Sequence, residues 1–240
     1  MMISDIYPKF GVDEMFLEYG IKAFIKWKYD SCPHCLVFGG TGTGKTYFVK
    51  SLLGSISMYV NNAKITVCDY KADDFKFLQG YNGYYAFDEC MQGLTDFYNE
   101  FTLRQQGEDT SRDFRLLVFD EWASFLNNLD KKETENAKKK LTTLLMLGRS
   151  FNFHVLVSQQ RADAKYFDTA RDNFSVIVAM GNISRESIQM FFSEYKEDIK
   201  NDRRQGTGYI YVNGNGLKWL NVPIVRNTNK LQQYIVKAVQ

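Results

Sequence analysis

Several things the chain lacks narrow what it is. Its 240 residues carry four cysteines, Cys32, Cys35, Cys68 and Cys90, too few and too scattered for the disulfide framework of a small secreted domain. Proline occurs only 3 times, which excludes a collagen-like composition. No charge sign dominates. A formal net charge of +2 is far from the basic excess of a protein that coats itself with nucleic acid, so any such contact has to be local, on a loop or inside an assembly. Long apolar runs are missing too. The most apolar early stretch, Met15 to Tyr29, is interrupted by Glu18, Lys22, Lys26 and Lys28, and nothing approaches the roughly 18 residues needed to cross a bilayer. Asp5, Pro8 and Lys9 within Met1 to Gly11 argue against a secretory leader. A cytoplasmic location is the expectation.

What is present is ordinary globular material, 45% hydrophobic and 24% charged, enough for one core with decorations. Short apolar runs alternate with longer amphipathic segments, the pattern of an α/β fold with a mostly parallel sheet flanked by helices. Expected strands are Cys35–Gly39, Lys64–Asp69, Arg115–Asp120, Phe153–Ser158 and Phe174–Ala179, each apolar as a strand covered on both faces should be. Expected helices are Lys45–Met58, Asp88–Gln105, Lys132–Leu147 and Arg185–Glu197. Gly208–Val212 and Leu217–Val225 read as a C-terminal β-hairpin around Asn213-Gly214-Asn215-Gly216, a strong turn signal. Residues 1–30 are less periodic and are expected to add a short helix or strands beside a domain of residues 31–240. The charged run Asp130–Lys140 reads as a solvated helix face.

One segment carries specific chemistry. Gly39-Gly40-Thr41-Gly42-Thr43-Gly44-Lys45-Thr46 fits G-x-x-x-x-G-K-[ST], with an apolar strand before it and a helical pattern after it. The glycines let successive backbone N–H groups turn toward phosphate oxygens, and the helix N-terminus adds positive partial charge. Lys45 has the reach for β- and γ-phosphates, and the Thr46 hydroxyl suits magnesium. ATP with Mg2+ is the expected ligand pair.

Further along, Leu116-Leu117-Val118-Phe119 runs into Asp120-Glu121. A strand-end Asp120 suits the magnesium shell, and Glu121 suits a general base on the attacking water. That pairing points to hydrolysis and away from a metabolic kinase, whose acceptor is a substrate hydroxyl. The strand His154–Ser158 ends in Gln159-Gln160-Arg161. Gln160 is either a γ-phosphate contact or a surface polar group. Arg149, after Gly148 at a helix end, is either a partner of the helix dipole or a finger for a neighbouring subunit's nucleotide.

In this order the elements resemble the FtsK/SpoIIIE family of DNA-translocating ATPases, within the FtsK–HerA superfamily. Pro33-His34, Leu36-Val37 and GGTGTGKT are similar to that family's lead-in and Walker A. Asp69-Tyr70-Lys71 resembles its Asp-Pro-Lys, and Asp120-Glu121-Trp122-Ala123-Ser124-Phe125-Leu126 its Asp-Glu-Phe-Ala-Asp-Leu-Met. Gly148-Arg149-Ser150, His154 and Gln160-Arg161 resemble its Gly-Arg-Ala, His and Thr-Gln-Arg-Pro. The likeness runs over residues 31 to 225. It implies a RecA-like P-loop core, Gln160 as a γ-phosphate sensor, Arg149 as a finger acting in trans, a hexameric ring, and DNA, double-stranded before single-stranded, through the pore. It also accounts for Pro33-His34 inside Cys32-Pro33-His34-Cys35, where a second ligand pair for zinc is absent.

The sequence departs from the pattern at Ala162 and Tyr70, where the family has Pro, and with about 15 residues after the last expected strand no DNA-reading winged helix is expected. The expectation is a compact motor for DNA transfer, processing or packaging in a mobile element or virus. Lys131, Lys132, Lys138 to Lys140, Arg203 and Arg204 are the candidates for gripping DNA. The other reading is an ATP-switched adaptor that recruits a relaxase, replication initiator or capsid.

Overall fold

The computed structural model describes residues 7–239. The first six residues of the expected N-terminal extension, and with them half of the segment read for a leader, lie outside the described residues. In chain order the elements are β1 (Lys9–Asp13), α1 (Glu14–Leu17), β2 (Phe24–Lys26), β3 (His34–Phe38), α2 (Lys45–Tyr59), β4 (Lys64–Asp69), β5 (Tyr84–Ala86) and α3 (Cys90–Gln106). They continue as β6 (Arg115–Asp120), α4 (Trp122–Asn127), α5 (Lys131–Leu147), β7 (Phe153–Gln159), β8 (Val176–Met180), α6 (Arg185–Phe191), β9 (Thr207–Val212), β10 (Gly216–Asn221) and α7 (Thr228–Val239).

All ten strands join one sheet in the order β2-β1-β10-β9-β8-β3-β7-β6-β4-β5. From β8 to β5 every pairing is parallel, and from β2 to β8 every pairing is antiparallel. The parallel half is sandwiched, which is why β3, β6 and β7 are buried along their whole length. Alternation divides β6 cleanly: Leu116 and Val118 face α2 and α7, while Leu117 and Phe119 face α3 and α5. Burying each such Leu, Val or Phe side chain contributes about 1.5–3 kcal/mol, so these two layers hold the strands level at the edge where the motifs lie.

Several boundaries move from their expected places for identifiable reasons. The helix expected to reach Glu197 ends at Phe191, because Phe192 leaves helical geometry and buries against Phe38. The hairpin's second strand stops at Asn221 instead of Val225, since Pro223 has no N–H for a ladder and Val222 N donates to Gly206 O instead. The closing residues form a helix, α7, that the sequence reading left out. Leu231, Ile235, Ala238 and Val239 bury one stripe of it, and Leu231 packs where a Cβ on Gly54 of α2 would sit. The three-residue edge strand β5 was also unread.

The first 30 residues extend the same sheet. β1 pairs antiparallel with β10 and β2 with β1, and Trp27 is fully buried, its indole N–H donating to Cys32 O at 2.6 Å. Cys35 is the second residue of β3, and burial pushes its thiol well up. Cys32 sits with its sulfur 3.7 Å from Asn213 O. Among the described residues no group of three or more Cys, His, Asp or Glu side chains is placed to hold a metal ion.

Candidate nucleotide site

The P-loop spans the gap between the C-terminal end of β3 and the first turn of α2. Its turn depends on glycine at two positions, Gly42 at φ +79 and Gly44 at φ +93, values that are left-handed and costly for residues with a Cβ. Gly44 is also the N-cap of α2 and makes no side-chain cap hydrogen bond, so the first-turn N–H groups are left for an anion. The loop is braced from outside: Gly206 N donates to Thr43 O at 2.9 Å, and a Cβ on Gly44 would come within 3.0 Å of Gly206 N.

Parallel register brings the acidic pair to the same edge. Asp120 aligns with Ser158, and Phe38, the last residue before the loop, aligns with Gln159. In an open α/β sheet this crevice at the carboxyl ends of the strands is where ligands bind. Asp120 is 3% exposed and its Oδ2 has no hydrogen-bond partner. Burial pushes its carboxyl up to about 6, against the pull of the Lys45 charge. Such a carboxylate is short of a cation.

Glu121 is 2% exposed and sits at φ 60, ψ 44. This left-handed conformation is rare for a residue of its kind and typical of functional turns. It is held there by its own N–H, which donates to Ser158 O at 2.7 Å. Two ammonium groups share one of its carboxylate oxygens, Lys71 Nζ at 2.7 Å and Lys45 Nζ at 3.5 Å. Thr46 Oγ1 donates to Asp74 Oδ2 at 3.0 Å.

Together the P-loop, Lys71, Asp73, Asp74, Glu121, Gln160 and Gln205 line a cavity of about 490 Å³. Gly39 lies beneath this loop, where a Cβ would meet Met180 O at 2.6 Å and Thr43 Oγ1 at 2.8 Å. So Gly39, Gly40, Thr41, Gly42, Thr43, Gly44, Lys45, Thr46, Asp120, Glu121 and Gln160 come to one edge of the sheet. Arg149 does not. It follows α5 at the opposite end of β7, exposed, with its Nε donating to Asp30 O at 2.9 Å. Lys71, which the sequence marks only as part of Asp-Tyr-Lys, also joins the site, as do Asp74 and Gln205, which no sequence pattern marks. Asp-Tyr-Lys at the end of β4 was the available signal for the first, while Asp74 and Gln205 come from irregular loops with no pattern of their own.

Among the candidate grips, Lys138 and Lys140 donate to Lys165 O and Thr95 Oγ1. Arg203 is paired with Glu14 and Asp202 beside the Tyr209 ring. Lys131, Lys132 and Arg204 are exposed.

A strand–loop–helix P-loop, with an acidic pair at the end of the next strand but one in the sheet, is the arrangement of a P-loop ATPase core. Residues 16–237 match the family described as helicase HerA, central domain, and the chain belongs to that family. The FtsK domain-containing protein YdcQ of Bacillus subtilis (strain 168) is 28% identical over 238 residues, covering 90% of this chain and 49% of YdcQ. The chain thus spans about half the length of the curated relative it matches. The fold is also that of the cytoplasmic domain of the type VII secretion ATPase EccC from Thermomonospora curvata, with TM-score 0.69 and 16% identity over 96% of this chain and 30% of EccC. The pCW3 conjugation coupling protein TcpA superposes with TM-score 0.69 and 18% identity over 90% of this chain and 67% of TcpA. No helix among the described residues is long and apolar enough to cross a membrane.

Proposed function

We propose that this domain hydrolyses ATP between the P-loop and the Asp120–Glu121 pair, and uses the cycle to drive DNA as one subunit of a ring. The observation that carries the reading is the convergence of Lys45 and Glu121, 3.5 Å apart, at the mouth of an uncapped helix. Backbone N–H groups of the loop and Lys45 bind the β- and γ-phosphates. Glu121 accepts a proton from the water as its oxygen bonds to the γ-phosphorus, the bond to the β–γ bridging oxygen breaks, and ADP leaves with that electron pair. Gln160 lines the cavity where a γ-phosphate would be sensed.

The residues present fit magnesium. Thr46 offers a hydroxyl and Asp120 a buried carboxylate with an unpartnered oxygen, a donor set of the hard kind this ion prefers. When bound, the ion neutralises phosphate charge. Arg149 lies too far round the sheet to serve its own nucleotide, which suits a finger offered to the next subunit of a homohexamer.

DNA as the cargo, duplex before single strand, draws on the family and on the likeness to a conjugation coupling protein. The net charge of +2 confines its contacts to loops, with Lys131 and Lys132 the exposed candidates on the nucleotide side of α5. The same modest charge, and the engagement of Lys138 and Lys140 by the protein itself, favour the second reading of an ATP-switched adaptor for a relaxase, replication protein or capsid.

Steady-state ATPase with and without duplex or single-stranded DNA separates the two. The motor predicts stimulation that a Lys131→Glu, Lys132→Glu variant loses while keeping basal turnover. Hydrolysis indifferent to both DNAs supports the adaptor.

A further inference from the structure

The loop that follows β4 reaches two groups of the site. It is pinned at its base: Asp69 Oδ2 accepts from Phe75 N at 2.9 Å and from the Tyr84 hydroxyl at 3.3 Å, and Ala72 N donates to Asp69 O at 3.0 Å. Ala72 is held at φ 53, which turns the chain sharply between two functional contacts. On one side of it Lys71 meets Glu121, and on the other Asp74 meets Thr46.

An exposed lysine paired with an exposed acid would be worth little. Here the partner is different. The Glu121 carboxylate is 3% exposed, and a buried carboxylate needs compensating charge and fixed hydrogen bonds. Lys45 supplies some of that charge, but hydrolysis commits Lys45 to the phosphates. Lys71 comes from the loop after β4, has no place in the P-loop, and is nearer to the same oxygen by 0.8 Å (3.5 against 2.7 Å).

We propose that Lys71 is a positioning residue for hydrolysis. It anchors Oε1 of Glu121, so that the other carboxylate oxygen is left to take the proton of the attacking water once Lys45 is engaged by the nucleotide. This rests on the reading of Glu121 as the base. It makes the β4 loop the part of the fold that sets the base's geometry, independently of nucleotide affinity.

The test compares wild type, Lys71→Met, Lys71→Arg, Glu121→Gln and the Lys71→Met/Glu121→Gln double variant, using kcat, KM for ATP, single-turnover rates and the affinity for ATPγS. Misplacing a catalytic group by about 1 Å costs on the order of 100-fold. Lys71→Met should therefore lower kcat by about 10–100-fold while KM and ATPγS affinity stay within about 3-fold. Lys71→Arg should recover most of the loss. In the Glu121→Gln background the Lys71→Met change should cost no more than about 2-fold further, since the group it positions is gone.

Three results overturn the proposal: a Lys71→Met kcat within about 2-fold of wild type, a loss confined to KM and nucleotide affinity, or an equal loss in both backgrounds. Full turnover by Glu121→Gln would instead defeat the assignment of the base, whatever Lys71 does.

Discussion

At the scale of single residues, the site is made of groups that stability alone would not choose. Asp120 is the clearest. Its carboxyl stands at about 6 because burial disfavours the charged form, whereas an ordinary unfolded aspartate titrates near 4. A carboxyl whose folded value is raised stabilises the fold fully below the unfolded value and loses that contribution as pH rises through the folded one. Ionised Asp120 is therefore a burden on the empty site at neutral pH. The Asp120→Asn variant should melt higher than wild type at pH 8, by about 5 °C, with the gain disappearing toward pH 4. Thermal melts at the two pH values check this. Equal gains at both, or none at pH 8, would mean that burial is not what raises the group. The variant should lose ATP turnover at every pH, because the carboxylate that favours a cation is the one that costs stability.

Glu121, Lys45 and Thr46 were legible from the sequence because each belongs to a spaced motif whose residue types the chemistry dictates. Lys71 was legible only as part of a resemblance, since a lone lysine after a strand carries no signal until the fold points it at a buried acid. The left-handed backbone at Glu121 was invisible for the same reason, as nothing in Asp-Glu-Trp requires it.

At the scale of elements, boundaries followed the physics of hydrogen-bond donors and apolar spacing. β4 and β6 matched their expected bounds because each is an apolar run closed by an aspartate, Asp69 and Asp120, where the chain turns out of the sheet. α6 was expected to be longer because Arg185–Glu197 keeps a helical rhythm, and its end is set by a tertiary contact, Phe192 against Phe38. α7 was unread because a single stripe of Leu231, Ile235 and Val239 after the hairpin needs the exposed flank of α2 to give it meaning.

The hairpin's link to the parallel half is equally specific. A Cβ on Gly208 of β9 would lie 2.1 Å from Ala179 O in β8 and 3.0 Å from the Met180 Cα. These are backbone atoms that cannot swing aside, so Gly208→Ala should destabilise by about 1–3 kcal/mol, a drop of roughly 3–10 °C in Tm. An unchanged Tm would show that β8 and β9 can part without cost. Because Gly206 two residues earlier braces the P-loop, nucleotide affinity should weaken along with stability.

At the scale of the whole molecule, one sheet of ten strands carries everything. Its parallel half ends in the P-loop, the acidic pair and Gln160, and its antiparallel half supplies the strut at Gly206. Arg149 sits at the other end of the strands. The proposed ring needs the nucleotide at one end of the domain and an exposed arginine at the other, and Arg149, tied to the chain through its Nε on Asp30 O, is placed as that proposal requires. The sequence could place Arg149 next to a helix end but not on a face, since that depends on β7 running parallel to β3. DNA as the proposed cargo is the part furthest from the residues, because a net charge of +2 gives no overall basic excess to announce it.

The most direct measurement is phosphate release from ATP by the purified chain and by its Glu121→Gln variant, with nucleotide binding followed in parallel. Wild type should turn over ATP, and the variant should bind it with similar affinity yet release phosphate at least about 100-fold more slowly, the scale of a lost general base. A variant that hydrolyses as fast as wild type would contradict the account at its centre.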